Sequence, residues 1–239
     1  EKTGKQHVVN NRYNRVEVIR CEDHDALLKA FQGRAGELPH VCVAGVSNAG
    51  KSSLINHLIL KKNMAKASSV AGKTKTIDLF LINDKFVIAD FPGMPSTDLQ
   101  TEGMWKGKWR PLVKSYMTHV PDLRGFLYIH DIRWPVAPDE VKFTRWMRER
   151  FTIQSFLLVL SKNDKVDHNR RRMGLNNARN KLDWRDDQRH IHYCSNNTDA
   201  KCRASRRHVL RYIESALNLG RSKPGAGVVC RPEELDDPV

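Results

Sequence analysis

The chain has 239 residues, 40% of them hydrophobic and 28% charged, a balance that supports a real core and argues against wholesale disorder. Lys and Arg total 41 against 27 Asp and Glu, a formal net charge of +14, which suits a partner rich in phosphates. The longest apolar runs, at residues 41–46 and 156–160, are strand-sized. They fall well short of the roughly 18 residues a membrane helix needs, so no membrane span or membrane partner is expected.

In chain order, residues 1–36 are polar and basic with a modest helical stretch near 26–31, and read as a basic N-terminal extension. A strand is predicted at 41–45 and a helix at 51–60. Strands at 77–82 and 86–90 are separated only by Asn83-Asp84-Lys85, which predicts an antiparallel hairpin at one edge. There follow a helix at 105–119, a strand at 125–130, a helix at 139–150, a strand at 156–161, a helix at 170–182, a strand at 191–194 and a helix at 203–217. This alternation predicts an α/β fold over residues 37–220: a mainly parallel six-stranded sheet, one antiparallel edge strand, and helices on both faces. Residues 221–239 read as a Gly/Pro linker and an acidic C-terminal tail. The five cysteines are odd in number and contain no C-x-x-C pair. Free thiols in a reducing compartment, with no disulfide-linked partner, are therefore expected.

Gly45-Val-Ser47-Asn48-Ala49-Gly50-Lys51-Ser52 matches G-x-x-x-x-G-K-[ST], with a predicted strand before it and a predicted helix, opening through Ser53, after it. Such a loop wraps phosphates with backbone N–H groups at a helix N-terminus. Lys51 would supply a point charge to the β- and γ-phosphates, and the Ser52 hydroxyl would ligate Mg²⁺. Asp90-Phe-Pro-Gly93 ends the third strand, where the Asp would hold Mg²⁺ through water and the glycine N–H would meet the γ-phosphate. Ser161-Lys162-Asn163-Asp164 ends the fifth strand in the place of an [NT]-K-x-D guanine motif. A carboxylate at Asp164 can accept from guanine N1–H and its exocyclic amino group together, a pattern adenine does not offer. Ser195 and Asn196 follow the sixth strand, where a backbone N–H would meet guanine O6. Taken together and in order, these stations define one crevice at the carboxyl ends of the strands. That favours a GTPase over an ATP kinase. Thr74, with Thr76 as its local competitor, is expected to close over Mg²⁺ and γ-phosphate.

At this point the residues resemble the EngB/YihA GTPases, which assist assembly of the large ribosomal subunit. The phosphate loop and first helix through Asn56, Gly72-Lys73-Thr74, Asp90-Phe-Pro-Gly93 and Ser161-Lys-Asn-Asp-Lys165 are similar to that family's motifs. So are Lys106-Gly-Lys108-Trp109 and His130-Asp-Ile-Arg-Trp-Pro135. The likeness covers roughly residues 38–219. Three departures stand out: Met94-Pro-Ser-Thr97 follows Gly93, Ser161 replaces Thr, and Cys194 stands where Phe is common. The resemblance implies a slow GTPase in which Lys51, Thr74 and Gly93 act on the γ-phosphate. Met94 occupies the place of the usual water-orienting Gln, so a substitute is needed. Asn48 is either a ligand for K⁺, which would act like an arginine finger, or simply a shaper of the loop. The implied partner is a large-subunit precursor, its rRNA and proteins, with other assembly factors as further candidates. A GTP-dependent RNA-binding placeholder with negligible turnover is the alternative. The basic extension, the missing initial Met and the divergence point to a mitochondrial matrix homologue, with bacterial cytoplasm the alternative.

Three basic clusters are candidate RNA contacts: Lys106, Lys108 and Arg110 beside the third station, Arg170, Arg171 and Arg172, and Arg203, Arg206 and Arg207. Trp105 and Trp109, four apart, are either a core face or stacking partners.

Overall fold

In a computed structural model of the chain, the residues described are 13, 15–65, 76–94, 103, 105–151, 155–184, 189–196 and 199–217. Seven strands form one sheet: β1 (Val16–Cys21), β2 (His40–Ala44), β3 (Ile77–Ile82), β4 (Phe86–Asp90), β5 (Leu123–Asp131), β6 (Phe156–Ser161) and β7 (Arg189–His192). Their order is β1-β3-β4-β2-β5-β6-β7. Only β3 runs against the rest, antiparallel to both β1 and β4, while every other pairing is parallel. Strands β2, β3 and β4 are buried at every position. That is why they read as unbroken apolar runs rather than alternations: helices cover both faces.

The helices are α1 (His24–Gln32), α2 (Lys51–Ile59), α3 (Arg110–His119), α4 (Pro138–Arg150), α5 (His168–Lys181) and α6 (Ala200–Ala216). Leu27 of α1, Tyr116 of α3, Met147 of α4 and Ala178 of α5 share one core layer. Leu54 and Leu58 of α2 share the other with Val209 and Ile213 of α6. Helix α3 does not begin at Trp105 as the pattern suggested. A π-helical turn, Trp105–Trp109, precedes it, and Pro111 sits at its first turn, where a missing N–H is harmless.

Two expectations are corrected. The sheet has seven strands, not six, and the segment around Val16–Glu37 is not a peripheral extension. Strand β1 pairs with β3 over six residues, and Cys21, Leu27, Ala30 and Ala35 are core. The β3–β4 hairpin is therefore interior to the sheet. In the three-residue connection Asn83 and Asp84 stand in the left-handed region at φ 51° and 53°, and Lys85 N donates to Ile82 O at 2.9 Å. The cysteines are not all free thiols. Cys194 and Cys202 form a disulfide with Cα atoms 5.0 Å apart, because the turn entering α6 folds its first residues back toward the end of β7. Cys21 and Cys42 are free and buried.

Candidate nucleotide site

The loop from β2 to α2 lies at the carboxyl end of the sheet. Gly50 caps α2 from the left-handed region, at φ 106°, and so aims the helix N-terminus into the loop. The Lys51 ammonium donates to the carbonyls of Gly45 and Val46, both at 3.0 Å. It is buried, and burial pushes it down to about 8, with the Asp90 charge opposing. Asp90, the last residue of β4, is buried as well. Burial raises its carboxyl to about 7, against the pull of Lys51 and of the Ser52 hydrogen bond. Ser52 Oγ donates to Asp90 Oδ2 at 3.0 Å, while Asp90 Oδ1 is buried with no partner among the described residues. Burial strips solvation from both members of this pair and draws each toward neutrality despite their mutual attraction, and one carboxylate oxygen is left unsatisfied.

Residues after β4 close onto this loop. Ser47 N donates to Met94 O at 2.8 Å and Met94 N to Gly45 O at 3.3 Å. A Cβ at Gly93 would stand 2.7 Å from Ser47 Oγ and 3.0 Å from Lys51 Nζ. Only glycine allows this approach. Met94 itself is buried in the core, so no side chain from that position reaches over the loop.

The β6 end is tied to the same loop. The Ser161 hydroxyl donates to Ala49 O at 2.6 Å, with His130 O the next acceptor at 3.2 Å. Lys162, at φ 55°, donates to Asn48 O at 2.7 Å and pairs with Asp131 at 2.8 Å. Burial alone would raise Asp131, but hydrogen bonds from Arg133 and Lys162 outweigh it and hold the carboxyl below its ordinary value. Asp164 is exposed beside this frame, 3.4 Å from Lys165. Ser195 and Asn196 are exposed on the loop after β7. The candidate site thus has a buried, charged end at Lys51 and Asp90 and an exposed end at Asp164, Ser195 and Asn196.

A family model described as 50S ribosome-binding GTPase matches residues 40–162. The chain is 35% identical over 148 residues to a probable GTP-binding protein EngB of Syntrophomonas wolfei, covering 62% of this chain and 75% of that protein. The chain belongs to the EngB GTPase family. A relative of the same description from Citrifermentans bemidjiense is 37% identical over 136 residues, 57% of this chain and 62% of its own length; the chain thus spans less than two thirds of that protein. A crystal structure of a probable GTP-binding protein engB aligns with a TM-score of 0.55 at 20% identity, over 75% of this chain and 99% of that one. At that identity it shows the fold, a P-loop GTPase sheet.

Within this EngB-family fold, Gly45, Ser47, Asn48, Ala49, Gly50, Lys51, Ser52, Asp90, Gly93, Ser161 and Lys162 converge on one cleft. Ser53 lies in the first turn of α2, half-buried. Thr74 lies outside the described residues. Its competitor Thr76 donates its hydroxyl to Asp78 Oδ1 at 2.6 Å. Ser161 positions the loop, since its hydroxyl is spent on Ala49. Arg206 is corrected as an RNA contact: its guanidinium donates to the carbonyls of His57 and Leu58 at 2.6 and 2.5 Å, satisfying the C-terminus of α2. Trp109 is core, whereas Lys106, Lys108, Arg170, Arg172, Arg203 and Arg207 are exposed. Arg110 is half-buried, and so is Arg171, which leans on Asn163 O. Sequence reasoning assigned no role to Asp131. A lone acid ending an apolar strand just ahead of an Arg was the available signal.

Proposed function

We propose that the chain binds GTP with Mg²⁺ in this cleft, hydrolyses it slowly, and serves as an assembly factor for the large ribosomal subunit. The observation that carries the nucleotide reading is the Lys51–Ser52–Asp90 constellation, its two charges buried and desolvated and one Asp90 oxygen unsatisfied, beneath the close approach of Gly93. A β/γ-phosphate would give Lys51 a second charge partner in addition to Asp90 and offset the solvation that burial takes from it. The orphaned Asp90 oxygen and the Ser52 hydroxyl fit Mg²⁺, a hard cation that takes oxygen ligands and keeps several waters. When bound, Mg²⁺ neutralises charge developing on the transferred phosphate. Among the described residues no three His, Cys, Asp or Glu side chains converge as a metal site, so the phosphates themselves would complete its shell.

Gly93 offers its N–H to the γ-phosphate, and Thr74 is assigned the hydroxyl that closes over it. Asp164 accepts from the guanine edge, and the backbone near Ser195 and Asn196 meets its O6. With Met94 committed to the core, no side chain from that position orients the attacking water. This favours slow intrinsic turnover, raised by a partner or by K⁺ held near Asn48. The same observation favours a second reading, a GTP-dependent placeholder on RNA with negligible hydrolysis. Single-turnover hydrolysis with and without K⁺ and large-subunit precursors separates the two: acceleration supports the enzyme, and a flat rate the placeholder. Co-sedimentation with precursor particles under GTP and under GDP tests the partner, its rRNA and proteins. Tighter association under GTP supports it, and equal association in both states removes it. The family description and the net charge support an RNA-rich partner, with other assembly factors as further partners. For compartment we propose the mitochondrial matrix, on the basic segment ahead of β1 and the divergent residues after Gly93. Fractionation of cells expressing the gene product would decide it.

A further inference from the structure

Among the described residues two large apolar side chains stand exposed, Trp134 at 64% and Met173 at 69%. Trp134 lies on the turn after β5, and Met173 on helix α5, which packs against that turn. The turn is fixed. Trp134 N donates to Asp131 O at 3.1 Å, and His130 Nε2 meets Trp134 O at 3.0 Å. The Arg133 guanidinium is held by both Asp131 oxygens, Nε to Oδ1 at 3.0 Å and Nη2 to Oδ2 at 2.8 Å, and lies 5.9 Å from the Trp134 ring centre.

Helix α5 packs against this turn. A Cβ at Gly174 would stand 2.7 Å from Ile132 Cγ1, and Asn177 Oδ1 accepts from Val136 N at 3.0 Å. Arg170, Met173 and Asn177 are spaced i, i+3, i+7, one stripe of the helix. The stripe that anchors through Asn177 to the segment following Trp134 therefore also carries Met173 and Arg170. Helix α5 contains no Asp or Glu, while Arg170, Arg171, Arg172, Arg179 and Lys181 all lie on it. Arg170 makes an exposed contact to the helix cap Asp167 at 3.8 Å, a pair that is easily opened.

We propose that Trp134, Arg133, Met173 and Arg170, flanked by Arg172, form a platform for single-stranded RNA: one unpaired base stacks on the Trp134 ring, and the α5 arginines take the adjoining phosphates. This rests on the ribosome-assembly reading for the source of the RNA. A rigid indole beside a fixed guanidinium gives a base a flat, sequence-tolerant face. The lack of carboxylates on α5 suits a polyanion. Two apolar side chains among this many cations make a poor apolar interface for a protein.

The test uses the full chain and a fluorescein-labelled twelve-nucleotide oligo(A), with a matched RNA duplex for comparison. The single strand should bind more tightly than the duplex. Trp134→Ala should weaken oligo(A) binding about tenfold, and Trp134→Phe should retain most of it. Trp134 is exposed, so both variants should keep the wild-type melting temperature and GDP affinity. Arg170→Ala with Arg172→Ala should lower the log–log salt slope by about 1.4, the value for two phosphate contacts on a single strand. Unchanged oligo(A) affinity in Trp134→Ala overturns the platform, and the assembly reading then stands or falls on co-sedimentation with precursors. If instead the chain fails to sediment with precursors while oligo(A) binding depends on Trp134, the platform stands and the assembly reading fails. Loss of precursor binding in Trp134→Ala without loss of oligo(A) binding would give this surface to a ribosomal protein and overturn the RNA assignment.

Discussion

Lys51 and Asp90 lie at the deep end of the cleft, buried and each drawn toward its neutral form. Asp164, Ser195 and Asn196 lie at the other end, exposed. At the deep end, affinity follows charge and protonation, because low dielectric magnifies both. At the open end water competes for every group, and what survives is a pattern of donors and acceptors that one base fits and another does not. Strength and selectivity are therefore separable by mutation.

The largest break is expected at the deep end. Lys51→Ala should lower GTP affinity by roughly two orders of magnitude or more, the scale of losing a charge-assisted phosphate contact in a dry site. Circular dichroism should stay native; retained affinity by titration calorimetry would remove the loop from the site. Next comes the open end. Asp164→Asn should weaken GTP by about 1–3 kcal/mol and let xanthosine triphosphate compete, since the reversed amide matches the xanthine edge. Competition assays that still favour guanine would refute the base pocket.

A third prediction concerns pH and sharpens the contrast. Folded Asp90 keeps its proton to about pH 7, whereas the unfolded chain releases it near 3.8, so stability falls as pH rises through that window. Folded Lys51 loses its proton near 8 rather than 10.5, so stability rises again across that upper window. The nucleotide-free protein should thus gain least from this pair between pH 7 and 8, and Asp90→Asn should flatten the acid arm in urea denaturation. Mg²⁺-dependent nucleotide affinity should fall as pH drops below about 7, by at most tenfold per unit for one proton. The smallest effect on nucleotide is expected from the disulfide near the open end. Cys202→Ser opens a loop of sequence separation 8, which should cost about 2–3 kcal/mol of stability and change GDP affinity only a few-fold.

The same division explains what could be read from sequence. The phosphate loop is contiguous, so Gly45 to Ser52 revealed it directly. The β3–β4 hairpin announced itself through Asn83 and Asp84, residues that tolerate a left-handed turn. Strand β1 was missed because only Cys21 of Val16–Cys21 is fully buried and its partner lies about sixty residues on. Arg206 looked like surface charge because the carbonyls that hold it are 148 and 149 residues away. The pairing of Cys194 with Cys202 hangs on how the chain turns into α6, which a count of cysteines does not encode.

Strand β1 also sets a timing problem for synthesis. It leaves the ribosome before its partner β3 exists, since Val16 must wait for Ile82 and Cys21 for Ile77. At roughly 5–20 residues per second that wait lasts about 3–13 seconds. Until then six residues with a full set of unsatisfied N–H and C=O groups stay open to water or to a chaperone. When they dock, they seal the flank of β3, an entirely buried strand whose bare edge would otherwise template pairing with another copy.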